Sequence, residues 1–309
     1  MSNVLVVGSM AYDAVETPHA KIDKALGGSA TFFSAAASFF APVNLVAVVG
    51  EDFDHNDIAF LKEKNVNLDG LTTEPGKTFF WAGRYLDNMD DRETLDTQLN
   101  VFEKFNPVLP VHYKDSEYVF LANIQPGLQY NVVQQVNKPK FVAMDTMNFW
   151  ITGTLPELKR TLSVVDALVI NDSEVQLLSG KNNIFTGARI IQEMGPKTLI
   201  IKKGGHGSIL VHNDSYFSCP AVPLESLYDP TGAGDTFAGG LMGYLAMTDE
   251  VNEVNLRRAM IMATTLASFC CEAFSVDRLK NLSKEEIRER VNTLLNLVRV
   301  EYDNDWVKL

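Results

Sequence analysis

At 309 residues, with 46% hydrophobic and 21% charged side chains, the chain has the composition of an ordinary globular protein large enough for one α/β domain. No apolar run approaches the roughly 20 residues needed to cross a bilayer. A formal charge of -12 argues against broad nucleic-acid or anionic-membrane binding, which needs a basic surface, but leaves room for a local phosphate site.

Residues 4–8 (VLVVG) predict a short central strand, too brief and too lacking in preceding basic residues to be a signal peptide. Residues 29–40, rich in small and aromatic side chains, predict a buried helix. A strand is expected at 45–49 and a helix near 57–64. Apolar runs at 118–121, 141–144, 167–170 and 199–201 read as further strands, separated by helix candidates such as 155–164 and 173–178. Strands alternating with helices indicate an α/β fold with a mainly parallel sheet covered on both faces. Two stretches, 12–26 and 78–101, break the rhythm. They are polar and partly alternating, with a charged turn at 88–92 and strands expected at 79–85 and 97–102. They suit a small exposed sheet: a lid over a ligand, a face for a second subunit, or a plain surface hairpin. Cys219, Cys270 and Cys271 have no CxxC spacing, and adjacent cysteines rarely pair, so a reduced, cytoplasmic protein is expected. The Asn-x-Ser matches at Asn171, Asn213 and Asn281 then imply no glycosylation.

The chemistry concentrates in residues 229–240 (DPTGAGDTFAGG). Phe237, Leu241, Tyr244 and Leu245 recur at helical spacing, so a helix should begin near Ala233. Gly232 and Gly234 keep the entry free of side chains, and a helix N-terminus offers unpaired N–H groups and partial positive charge. That arrangement favours a phosphate or a developing oxyanion. Asp235 at such a start is ordinarily a cap. Beside an anion hole, it can instead take a proton from an attacking hydroxyl. No lysine follows the glycines as in a Walker A loop. Gly8 is followed by Ser-Met-Ala-Tyr-Asp rather than the dinucleotide fingerprint, which disfavours a Rossmann-type oxidoreductase.

This segment resembles the second signature of the ribokinase-like (PfkB) family of carbohydrate kinases, and weaker features follow in the family's order along nearly the whole chain. The resemblance implies a three-layer α/β/α fold, with residues 1–309 as one kinase domain and a small β lid from about 12–27 and 77–103. It implies ATP as phosphoryl donor, Asp235 as catalytic base, and the amides of Gly232, Ala233, Gly234 and Asp235 as anion hole. Asn171 and Glu174 look like the family's N-x-x-E motif, with Glu174 holding Mg2+ through water and Asn171 near the phosphates; read alone, the four residues are a helix cap. Lys202, Gly204 and Gly207 resemble the nucleotide-binding turn, although many relatives have threonine where Lys202 stands, and His206 is a loop residue. A helix around 259–274 would wall the adenine pocket. Potassium is admitted as an additional ion, at Asp229 and Thr231.

On the acceptor side the resemblance puts Asp13 on sugar hydroxyls, the alternative being a turn cap, with Gly27 and Gly28 as the first signature. Relatives usually have asparagine where Phe32 stands, which suggests an altered substrate. Phe79, Trp81 and Tyr85 are offered as stacking groups or lid core, and Arg84 as an anion contact. A plain sugar is the default acceptor. Aromatic lid residues would suit a nucleoside instead, and Ser-Ala-Thr-Phe at 29–32 with the stretch 105–110 is similar to the inositol-kinase-like branch. Homodimerisation through the lid is consistent with the family. A non-catalytic nucleotide- or sugar-binding regulator on the same fold is the alternative from another class.

Overall fold

A computed structural model of the chain describes residues 2–299. Thirteen strands run in chain order: β1 (Val4–Val7), β2 (Ala11–Glu16), β3 (Lys21–Gly27), β4 (Val43–Gly50), β5 (Val66–Glu74), β6 (Phe79–Tyr85), β7 (Arg92–Gln98), β8 (Tyr118–Leu121), β9 (Phe141–Asp145), β10 (Ala167–Asn171), β11 (Thr198–Lys202), β12 (Ser208–His212) and β13 (Ser215–Cys219). Nine form one sheet in the order β13-β12-β11-β10-β9-β8-β1-β4-β5. It is parallel except for the β11–β12 and β12–β13 pairings at one edge. The helices are α1 (Ser29–Ala37), α2 (Ala59–Glu63), α3 (Pro126–Val133), α4 (Asn148–Gly153), α5 (Leu155–Leu162), α6 (Asp172–Ser179), α7 (Ile184–Gln192), α8 (Ala233–Thr248), α9 (Glu253–Cys270), α10 (Asp277–Lys280) and α11 (Lys284–Leu297). No described helix is long and apolar enough to cross a membrane.

The apolar runs become central strands because both faces of the sheet are covered. Along β1, Val4 and Val6 join one core with residues of α1, α8 and α9, while Leu5 and Val7 join a second core with residues of α3, α5 and α7. Successive side chains in a strand point to opposite faces, so a continuous apolar run satisfies both layers. Each fully buried Val or Leu contributes about 1.5–3 kcal/mol relative to exposure. The expected mainly parallel sheet, covered on both faces, is the architecture found.

The remaining strands form a four-stranded sheet, β3-β2-β6-β7, in which only β2 and β6 run parallel. Here the strand expected at 97–102 is corrected: β7 spans Arg92–Gln98, and Asn100–Lys104 is a 3-10 turn. Asn100 sits at φ 51° and donates its side-chain amide to the Thr78 carbonyl at 2.9 Å, which stops the strand. Phe102 then stacks between Phe79 and Phe105, with ring centroids 5.2 and 5.4 Å away. β5, β12 and β13 were not anticipated: β5 and β13 are polar and half-exposed, whereas β12 (SILVH) is buried and its short apolar run was passed over. The helix expected at 259–274 begins earlier, where Asn252 accepts from the Asn255 N–H, and ends at Cys270.

Candidate active site

In parallel α/β sheets, ligands bind beyond the carboxyl ends of the strands. Three adjacent strands end here in polar residues: β9 in Asp145, β10 in Asn171 and β11 in Lys202. Asn171 and Lys202 are register partners. The turn leading into α8 lies against them, since a β-carbon on Gly234 would be 3.1 Å from Lys202 Nζ. Lys202 Nζ is also 3.3 Å from Asp145 Oδ2. Burial acts to lower the lysine's pKa, but the carboxylates of Asp145, Glu174 and Asp235 outweigh it, and the ammonium is held above its usual value.

α8 begins at Ala233, as the spacing predicts, with Gly232 as its cap at φ 77°. A side chain at Gly232 would be strained by that angle and would overlap the ring of Phe32. Phe32 is 1% exposed. It is therefore packing beneath the turn that leads into α8 and offers no polar group there. The Ala233 N–H is taken by the Pro230 carbonyl at 3.1 Å. The N–H groups of Gly234 and Asp235 lie in the first turn, where a helix supplies no carbonyl of its own. Burial, and then repulsion from Asp145, push the Asp235 carboxyl up to about 7, against attraction from Lys202 and Arg92.

Asn171 and Glu174 form a reciprocal capping box at the start of α6. Asn171 Oδ1 accepts from the Glu174 N–H at 2.8 Å, and Glu174 Oε2 accepts from the Asn171 N–H at 3.0 Å. The cap is worth about 0.5–2 kcal/mol and occupies one carboxylate oxygen, leaving Oε1 for other partners. Burial followed by repulsion from Asp145 raises the Glu174 pKa. Among the described residues there is no group of three or more His, Cys, Asp or Glu side chains poised to hold a metal.

Beyond this turn, Lys202, Gly204 and Gly207 line a cavity of about 360 Å³ with Val222, Leu224 and Ala267. These three predicted residues are thus brought together, whereas Asn171 and Glu174 are not among the lining residues. Ser208 is 3% exposed in the same wall, and its hydroxyl has no hydrogen-bond partner among the described residues. His206 lies in an exposed 3-10 turn.

Asp13 is 7% exposed, and a β-carbon on Gly27 would overlap its carboxylate, so these two predicted residues adjoin. Gly28 follows as the cap of α1. Burial, followed by repulsion from Asp229 and Asp235, raises Asp13 to about 7, and Arg92 opposes the rise. Trp81 is the register partner of Asp13 on β6, and its ring occupies the place a β-carbon on Gly83 would take. The other two aromatics have partners within the protein. Phe79 belongs to the stack with Phe102, and buried Tyr85 accepts a 3.2 Å hydrogen bond from the Thr231 hydroxyl. Arg84 is corrected as an anion contact: it pairs with Glu16 at 2.9 Å on the exposed face. Arg92, unremarked in the sequence, is the arginine that attracts Asp13, Glu174 and Asp235, and its guanidinium carbon stands 5.6 Å from the Trp81 ring. Asp145 was also missed. A strand ending in aspartate was its only signal.

The chain belongs to the pfkB family of carbohydrate kinases, whose model matches residues 1–281. It is therefore a phosphotransferase with an alcohol group as acceptor. It is similar to the cytidine kinase of Thermococcus kodakarensis, 28% identical over 252 residues that cover 79% of this chain and 89% of that one. It is also similar to inositol 3-kinase of Arabidopsis thaliana, 24% identical over 307 residues, 93% of this chain and 80% of that protein. The crystal structure of the nucleoside kinase of Methanocaldococcus jannaschii superposes with a TM-score of 0.76 at 19% identity, covering 95% of this chain and 99% of the other. The ribokinase-like fold is shared across that distance.

Proposed function

We propose that this kinase transfers the γ-phosphoryl group of ATP to a ribose hydroxyl of a nucleoside. One observation carries the acceptor class: Asp13 and Trp81 are register partners on neighbouring strands, so their side chains project from the same face of the small sheet. A carboxylate accepts two hydrogen bonds from a vicinal diol, and an indole braced on Gly83 is a platform for a flat base. The similarity to a cytidine kinase over most of both chains supports the same class.

Phosphoryl transfer depends on positioning and charge stabilisation rather than on covalent chemistry by the protein. In this reading Asp235 removes the proton of the attacking hydroxyl, and the first-turn amides of α8 receive the transferring group. Lys202 balances its charge from the strand side. Magnesium, when bound with the nucleotide, neutralises phosphate charge. The residues fit a hard ion held mainly by phosphate and water, with Glu174 Oε1 and Asp145 at hand. A monovalent cation is peripheral to the reading, because Asp229 Oδ1 already accepts from the Thr231 N–H at 2.8 Å and the Thr231 carbonyl from the Cys270 thiol at 3.5 Å. The small sheet acts as a lid that excludes water from the transfer.

The test is an ATP-consumption screen over nucleosides, free sugars and cyclitols, with Asp235→Asn as control. The expected result is turnover on nucleosides, a KM raised by Trp81→Ala, and loss of turnover in Asp235→Asn. Turnover confined to free sugars or cyclitols would refute the acceptor class, and an active Asp235→Asn enzyme would refute the base.

A further inference from the structure

The turn between β6 and β7 reaches further than a cover for the acceptor requires. It is a self-bonded knob: the Leu86 N–H donates to the Asp91 carbonyl at 2.9 Å and the Met89 N–H to the Leu86 carbonyl at 2.8 Å. Asn88 Oδ1 accepts from the N–H groups of Asp90 and Asp91 at 3.2 and 3.1 Å. The knob is seated on the main body of the protein, because Met89 is 6% exposed and packs in a cluster with Leu227 and Phe274. Both Met89 and Asp90 line the cavity that holds Lys202 and Gly204. A β-carbon on Gly204 would stand 2.8 Å from Asp90 Oδ1. Among the described residues the Asp90 carboxylate has no hydrogen bond or ion pair of its own.

The cavity is lined by both a cation and apolar side chains. Lys202 lies beside the α8 turn, and Val222, Pro223, Leu224 and Ala267 supply apolar lining. In a nucleotide the phosphates seek the cation and the base seeks the apolar wall. The pentose joins the two, and the adjoining Gly204 and Asp90 line the same cavity. A carboxylate facing phosphate would repel it, whereas one facing a vicinal diol accepts two charge-assisted hydrogen bonds.

We propose that Met89 and Asp90 are part of the phosphoryl-donor site, with Asp90 accepting hydrogen bonds from the 2′- and 3′-hydroxyls of the donor ribose and Met89 closing the pocket over it. The proposal rests on reading this cavity as the donor pocket. The small sheet then carries an acceptor contact, Asp13, on β2 and a donor contact on its β6–β7 turn. Two ligands that favour the same seated sheet must raise each other's affinity by the same factor.

The experiment is calorimetric titration of the wild type, Asp90→Ala and Asp90→Asn with ADP and with 2′-deoxy-ADP, with thermal melting as a check on folding. The wild type is expected to bind ADP about tenfold more tightly than the deoxy form, and Asp90→Ala to weaken ADP about tenfold and bind both alike. Asp90→Asn, which keeps an acceptor oxygen but not the charge, should fall between. Undiminished ADP affinity in Asp90→Ala, or an undiminished preference for the 2′-hydroxyl, overturns the proposal while leaving the donor pocket intact. A wild type that does not bind ADP at all overturns the donor-pocket reading itself, and this proposal with it.

Discussion

The hydroxyl of Thr231 donates a 3.2 Å hydrogen bond to the phenol oxygen of Tyr85, tying the turn before α8 to the small sheet. Burial raises the Tyr85 phenol above its usual pKa, so it stays protonated through the neutral range. The bond is the direct polar link between the sheet that carries Asp13 and the turn that carries Asp235. Tyr85→Phe keeps the ring and its packing but removes the link, a loss of about 1 kcal/mol. We expect kcat/KM to fall about three- to tenfold with little change in melting temperature. Steady-state kinetics and a thermal melt check this, and an unchanged kcat/KM would remove the link from the mechanism.

Asp235 should impose both a rate profile and a stability profile. Its folded-state pKa is about 7, so the carboxylate forms only as pH rises through neutrality, and if Asp235 is the base proposed above, kcat/KM should climb to a plateau beyond that point. Stability runs the other way. An unfolded aspartate releases its proton near 3.9 and the folded one at about 7, so between those values the folded state holds the extra proton. The contribution to stability is full below about 4 and is lost as pH rises through about 7. Asp235→Asn should therefore gain melting temperature over the wild type at pH 8 but not at pH 4. A difference independent of pH would contradict the raised pKa.

Lys202 and Asp145 pull Asp235 in opposite directions, since the ammonium favours the carboxylate and Asp145 opposes it. Lys202→Met should move the acid limb of the rate profile to higher pH, and Asp145→Asn should move it to lower pH. Both variants should also lose turnover, but loss alone would not separate electrostatics from misfolding. Shifts of the same sign in both would count against this account.

The two arginines of the small sheet make a contrast. Arg84 pairs with Glu16 on an exposed face, where such pairs are worth about 0–1 kcal/mol, so Arg84→Ala should leave turnover and melting temperature nearly unchanged. Arg92 attracts Asp13 and Asp235, and Arg92→Ala should lower kcat at neutral pH about tenfold or more and move the acid limb upward. Equal effects from the two would mean that Arg92 does not act on the site.

Much of the core was legible because it is local. The runs VLVV, YVFL and FVAM became buried parallel strands. The start of α8 was legible for the same reason: a glycine pair, an aspartate and a helical stripe lie within a dozen residues of each other. The 3-10 turn at Asn100–Lys104 was not, because ring stacking of Phe102 with Phe79 from β6 and with Phe105 at the end of the turn replaced the alternation suggested by the sequence.

By itself, the sequence determined that Asp235 stands at a glycine-lined helix start and that Asp13 follows the first strand, since both depend only on neighbours in the chain. Tertiary structure alone decided what surrounds them. Strand order brings Asp145 and Lys202 to one edge, pairing of β6 with β7 selects Arg92 over Arg84, and Phe32 turns inward under Gly232. Charge and burial act through space, so a carboxylate's pKa and an arginine's partner are set by residues far away in the chain.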